Sequence, residues 1–166
     1  MALAVTHVIL TIIVLDLFRH YVFGREKFPR YLLVIGGIAG LLPDIDIPLG
    51  WIVSLISGTT VNLHRVFTHS IFFVVLFLIL GIILHYQNKQ KWSKIMYVVA
   101  AGWSMHLFLD CIYGGEPIRS FFWPSLLIPS FCPTWNVYTY ATYIDAILLV
   151  FWLVHEEIHN KIRDYF

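Results

Sequence analysis

Residues 31–57 read YLLVIGGIAGLLPDIDIPLGWIVSLIS, an apolar run interrupted near its middle by Pro43, Asp44, Asp46 and Pro48. About 20 helical residues cross the hydrocarbon core of a bilayer, so the run is long enough to span one. Proline inside a helix removes a backbone donor and clashes with the preceding turn. The run therefore predicts two half-helices meeting at a non-helical PDIDIP. Two carboxylates at such a break are costly to desolvate and need cations or donors from elsewhere in the chain.

Composition sets the surroundings of that break. The chain has 166 residues, 59% hydrophobic and 13% charged, with a mean hydropathy of +0.77; a soluble domain carries about 25% charged residues. It reads as an integral membrane protein, with residues 1–166 forming a single integral membrane domain. A net charge of +1 gives no case for nucleic acid as a partner. Further apolar runs at 3–18, 66–85, 95–113 and 137–155 make the expected fold class all-α, a polytopic membrane helix bundle of about five spans whose second span is proline-broken. The first run lacks a basic flank before it and is kept as a span rather than a removed leader. Residues 114–135 hold Pro117, Pro124, Pro129 and Pro133 among Phe121, Phe122, Trp123, Phe131 and Trp135. That segment is too proline-rich for a helix and too apolar for a solvated loop, and it predicts a re-entrant aromatic lid at headgroup depth.

Nine of the eleven Lys and Arg residues (Arg19, Arg25, Lys27, Arg30, Lys89, Lys91, Lys94, Lys161, Arg163) fall on one side of a five-span arrangement. The positive-inside rule makes that side cytoplasmic and puts the N-terminus outside. On the opposite side fall His7, His64, His69, His106 and Asp110, with Asp44 and Asp46 within reach at the break. Ionisable groups inside apolar segments mark functional sites by default. His106 and Asp110 are i and i+4, stacked on one helix face. His64 and His69 diverge if both are helical, and converge if His64 is in the loop and His69 opens the span. Each histidine alone is more often a satisfied core residue. Three buried aspartates without cations are expensive, and two divalent ions supply +4 against −3. The expected metal ligands are thus His7, Asp44, Asp46, His64, His69, His106 and Asp110.

The series of Thr6-His7, GGIAGLLPDIDI at 36–47, HRVFTHS at 64–70 and GWSMHLFLD at 102–110, followed by Gly115 and Pro124, resembles the YdjM-like family of membrane-bound metal-dependent hydrolases. The likeness covers roughly residues 6–124, and HRxxTHS with LLPDxD in this order is its most specific part. It implies a metal-dependent hydrolase, with phosphoester chemistry as a more distant implication. The chain departs from the family pattern at Ile112, Tyr113 and Gly114, where Thr-Pro is common, and lacks a glycine shortly after the first histidine. Neither departure removes a candidate ligand.

Imidazoles and carboxylates together suit divalent transition metal ions (Zn, Mn or Fe), here two. Such ions lower the pKa of water toward about 7 and polarise a substrate oxygen. Expected catalytic residues are Asp46 and Asp44, to orient water, and Arg65, to clamp a phosphate. Thr68 and Ser70 are expected to cap a helix or support ligands. Asp110 is a few residues from the end of its span, so the site lies about 5 to 10 Å below the surface, where lipid phosphates and esters lie. The expected partner is a membrane lipid or lipid-linked substrate, hydrolysed on the extracytoplasmic side of a prokaryotic plasma (inner) membrane by a multi-pass protein. The alternatives are a divalent-cation transporter, disfavoured by the apolar inner halves of spans three and four, and a non-catalytic metal-stabilised scaffold.

Other polar residues carry lesser expectations. His155-Glu156-Glu157-Ile158-His159 matches the zinc-protease pattern HExxH but lacks a third ligand beyond Asp164, and reads as the solvated end of a helix. Asp16 is expected to pair with Arg19, and Asp145 to support a ligand or pair with Tyr140 or Thr142. Glu116 and Arg119 lie in the lid. A disulfide between Cys111 and Cys132 would pin the lid to span four, although cysteines in apolar settings are more often free thiols.

Overall fold

The computed structural model describes residues 4–113, 118, 120–124 and 140–160; the side chains of residues 141, 142, 159 and 160 are outside that description. All regular structure among these residues is helical: α1 (Ala4–Phe18), continued by a π-helical turn (Arg19–Phe23), α2 (Tyr31–Ala39), a 3-10 turn (Leu42–Ile45), α3 (Asp46–Ser57), α4 (Ile71–Tyr86), α5 (Gln90–Tyr113) and α6 (Ala141–Asn160). Two helical segments, Ala4–Phe23 and Gln90–Tyr113, are long and apolar enough to cross a membrane, and α2 with Leu42–Ser57 makes a third as a span bent by 50°. At 16 residues, α4 is apolar but shorter than a full crossing.

The break in the second run is shorter than its two prolines suggest. The 3-10 turn over Leu42–Ile45 carries Pro43, whereas Asp46 already opens α3 and Pro48 sits in its first turn. A first-turn proline gives up a donor that has no intrahelical acceptor, so the helix tolerates it. Asp46 thereby becomes part of a helix start instead of an irregular loop.

Small residues set how tightly α2 is held. A Cβ at Gly102 of α5 would lie 2.7 Å from Ala39 Cβ, 2.8 Å from the Gly36 carbonyl oxygen and 3.0 Å from Gly40 N. On the other side, a Cβ at Gly40 would lie 3.0 Å from both the His7 carbonyl oxygen and Thr11 Oγ1 of α1. Without a solvent-driven hydrophobic force, membrane helices gain packing by such close backbone approach. The break after α2 is therefore brought against His7 on α1 and His106 on α5.

Buried contacts also fix α6. Thr6 Oγ1 donates to Asp145, and His155 Nδ1 lies 3.2 Å from Asp16 Oδ2. Both pairs are ten residues apart on each helix, so α1 and α6 run parallel. His155 is thus packed, with a side chain only 10% exposed, and not the solvated helix end expected from the sequence. Asp16 pairs with Arg19 at 3.3 Å, as expected, and Asp145 accepts from Thr6, while the side chain of Thr142, one of its expected partners, lies outside the described residues.

Most of the predicted lid lies outside the described residues, including Glu116, Arg119 and Cys132. Its described part docks on the 64–70 loop: Ser120 Oγ donates to the Arg65 carbonyl, and Ile71 N donates to the Phe121 carbonyl. Ser70 caps α4 by accepting from Phe72 N and donates to the Trp123 carbonyl. Cys111 is disulfide-bonded and not a free thiol; Cys132 is the only other cysteine in the chain.

Candidate metal centre

Four structural units deliver the cluster. The first turns of α1 carry His7, the 3-10 turn and start of α3 carry Asp44 and Asp46, the loop before α4 carries His64, Arg65 and His69, and the last turns of α5 carry His106 and Asp110. All seven sequence-predicted ligands converge. Six form two sets of three that can each hold a metal ion, His7/His106/Asp110 and Asp44/His64/His69, with ligand atoms in each set within 4.8 Å of one another. The sets adjoin: His106 Nε2 is 3.1 Å from His69 Nε2, and Asp44 Oδ1 is 3.4 Å from His69 Nε2 and 3.6 Å from His106 Nε2.

The imidazoles are oriented from behind. His106 Nδ1 donates to the Gly40 carbonyl at 2.7 Å. A carbonyl can only accept, so the proton is on Nδ1 and the Nε2 lone pair faces His69. His64 Nδ1 is 3.1 Å from Asp46 Oδ1, and His69 Nδ1 is 3.3 Å from Asp46 Oδ2. Asp46 Oδ2 also accepts from Arg65 N at 2.9 Å and Thr68 Oγ1 at 2.6 Å. Both oxygens of this fully buried carboxylate are thus taken up behind the imidazoles, and Asp46 belongs to neither ligand set. Thr68 is held in turn by Trp103 Nε1, which donates to its carbonyl at 3.1 Å.

Asp44 differs, being the most open carboxylate of the cluster at 23% exposed. His7 stacks on His106, ring centroids 4.0 Å apart, with Nε2 3.5 Å from Asp110 Oδ1. The donor chemistry fits divalent transition ions: four imidazoles and two ligating carboxylates. The buried His64 Nε2, which has no hydrogen-bond partner among the described residues, fits the same reading.

Arg65 is held in a left-handed backbone conformation, φ 62°, by the bonds to its N–H from Asp46 and to its carbonyl from Ser120. Such strain persists where the surroundings over-determine it, and clusters at functional sites. Its Nη2 donates to Asp110 Oδ2 at 2.7 Å, while its buried Nε has no hydrogen-bond partner among the described residues. His69, in the loop ahead of α4, feels two opposed effects. Burial pushes its pKa down, but contacts with Asp110, Asp44 and Asp46 prevail and raise it to about 10.

Residues 1–163, nearly the whole chain, match the model of the YdjM inner membrane protein family. The chain belongs to that family. No curated protein and no solved structure matches it. Membership accords with the apolar helices and places this His/Asp cluster in an inner membrane protein.

Sequence reasoning missed two contributors here. Thr6, beside His7, signals nothing alone, because its partner Asp145 is 139 residues away. The Gly40 carbonyl is a main-chain group, and only the tight α2–α5 packing reveals it. Thr68 was legible as a supporter, but its acceptor was not.

Proposed function

We propose that the chain is an integral membrane metal-dependent hydrolase that cleaves a lipid-linked phosphoester or ester near the extracytoplasmic surface. The observation that carries this reading is the pair of adjoining three-ligand sets, meeting at His69 Nε2 and His106 Nε2, 3.1 Å apart. His7, His106 and Asp110 would hold one ion, and Asp44, His64 and His69 the other. Two such ions, when bound, activate water and polarise the substrate oxygen.

The remaining work falls to side chains. Arg65 draws in the anionic ester oxygens through the face of its guanidinium that Asp110 does not occupy. Asp44, the open carboxylate, takes the proton of the attacking water. The water oxygen bonds to phosphorus or the carbonyl carbon, the ester bond breaks, and the departing oxygen recovers the proton. Asp46 and the Gly40 carbonyl position the imidazoles and do not touch the reacting atoms.

An apolar cleft of about 600 Å³ between α1 and α5 supports the lipid part of the reading. It runs from Thr11 and Met105, beside the His7 and His106 turns, past Leu15 and Phe28 to Lys27 and Lys94. A lipid chain whose ester is at the cluster has its path there. Five crossings, with the cluster outward, follow from the distribution of Lys and Arg. The disulfide at Cys111, one residue beyond Asp110, supports the same orientation, because disulfides persist in oxidising compartments.

Transport is the competing reading, and one observation favours it: Thr6, His7, Thr11 and Asp16 are all buried on α1. Ile13 and Leu15, also buried, interrupt that line between Thr11 and Asp16. The test is metal content of detergent-purified protein beside His69→Ala and Asp110→Ala, followed by assay of the metal-loaded protein on lipid phosphoesters and esters. Ions lost in both variants, with turnover in the wild type alone, are expected. Folded wild type that binds no ion, or loaded protein that moves ions across vesicles without cleaving lipid, would overturn the proposal.

A further inference from the structure

The far end of α1 holds a second convergence of ligating groups. Asp16, His20 and His155 place one ligand atom each within 4.8 Å of the others. They come from two helices: Asp16 from α1, His20 from its π-helical continuation, and His155 from α6. Asp16 is 1% exposed, and the side chains of His20 and His155 are 4% and 10% exposed. We propose that Asp16, His20 and His155 form a second divalent transition-metal site that clamps α6 to α1 at the end of the bundle opposite the main cluster.

Three geometric features support the assignment. The π-helical turn widens the backbone after Phe18, and such turns recur at functional sites. It sets His20 Nδ1 2.8 Å from the Asp16 carbonyl oxygen, which can only accept. The proton is therefore on Nδ1, and Nε2 carries the lone pair a metal requires. Second, Asp16 divides its oxygens between the two helices: Oδ1 meets Arg19 at 3.3 Å and His20 Nδ1 at 3.2 Å, and Oδ2 lies 3.2 Å from His155 Nδ1 on α6. Third, the His20 and His155 rings meet edge to face, centroids 5.2 Å apart.

Two imidazoles and one carboxylate form the donor set of borderline divalent ions such as Zn²⁺, Fe²⁺ or Co²⁺, not of Mg²⁺ or Ca²⁺. Arg19 does not compete for the ligating oxygen, since its Nε donates to the Phe28 carbonyl and its Nη1 to Oδ1. Buried Ile13 and Leu15 separate this site from the outer cluster, so the two ends can be tested independently. The HExxH sequence then supplies His155 as a ligand for α1, without protease chemistry.

The test uses full-length protein carrying His69→Ala and Asp110→Ala, which removes the outer cluster from the count. Metal analysis after Zn²⁺ loading and desalting is expected to find one ion per chain, lost when Asp16→Asn or His155→Gln is added. A second measurement avoids the ambiguity of a misfolded variant. His20→Cys loaded with Co²⁺ is expected to show a thiolate-to-cobalt charge-transfer band, which the parent protein, whose main cluster has no cysteine ligand, does not show. A monodisperse, helical parent with no ion, an ion that survives Asp16→Asn, or folded His20→Cys without that band would each overturn the site.

Discussion

Arg65 Nη2 donates to Asp110 Oδ2 at 2.7 Å, and the same oxygen lies 3.4 Å from His69 Nε2 and 3.8 Å from His106 Nε2. One carboxylate oxygen thus stands between the fixed cation of the site and the imidazoles that would hold an ion. On the proposed reading, Arg65 and a metal ion would share Asp110, whose other oxygen, Oδ1, faces His7 Nε2 at 3.5 Å.

Arg65→Lys keeps the charge but loses the planar fork that grips an anionic ester at two points. Turnover of a lipid phosphoester should fall by about 10- to 100-fold, the kinetic equivalent of a charge-assisted hydrogen bond of about 1.5–3 kcal/mol. Metal content should be unchanged. Steady-state kinetics beside metal analysis separate the two, and a variant that loses its ions would instead assign Arg65 to holding the cluster together.

Asp46→Asn should weaken metal binding by about 10- to 100-fold, because groups that orient ligating histidines tune affinity by that amount. The change keeps the shape of a fully buried side chain whose oxygens serve His64, His69, Thr68 and the Arg65 N–H. Competition with a chelator measures the affinity. Wild-type affinity in the variant would show that the carboxylate charge behind the imidazoles is immaterial.

Gly102→Val brings a branched side chain to a place where even a Cβ comes within 2.8 Å of the Gly36 carbonyl. The expected loss is about 1–3 kcal/mol of stability, typical of overpacking, with reduced metal retention because α5 moves His106 away from Gly40. Thermal unfolding in detergent, with and without added metal, reads both effects.

With no metal bound, the His69 pKa is raised from 6.5 to about 10. A raised pKa means the folded state binds the proton more tightly, so this contribution is complete below pH 6.5 and declines as pH rises through about 10. The midpoint of thermal unfolding of chelator-treated protein should fall across that interval. Metal binding must displace the same proton, so metal should bind with proton release and more tightly as pH rises. A flat profile that His69→Gln leaves unaltered would remove His69 from the linkage.

Much of the His/Asp cluster was legible because charge in apolar sequence has few explanations. His106 and Asp110 share a face by helical period, and His64, Arg65 and His69 sit in one short polar window, so the sequence itself implies their convergence. The division of labour between Asp44 and Asp46 was not legible. The residues are two apart and chemically identical, and only the helix start at Asp46 sends one inward and leaves the other open. The break itself was legible from Pro43, whereas Pro48 misled, since proline in a first turn ends nothing. The Asp16, His20 and His155 convergence escaped notice because His155 is 135 residues from His20, and because the turn that aims His20 is π-helical, a state with no sequence signature.

The two contacts between α1 and α6, Thr6 with Asp145 and Asp16 with His155, act together as a vernier. Sliding α6 by one residue would displace it about 1.5 Å and turn its side chains by about 100°, breaking both contacts at once, with no neighbouring alignment to offer replacements. A one-residue insertion anywhere between Asp145 and His155 would therefore uncouple the outer and inner contacts from each other. The length of that helical segment, independent of which apolar residues fill it, is itself a constraint on the chain.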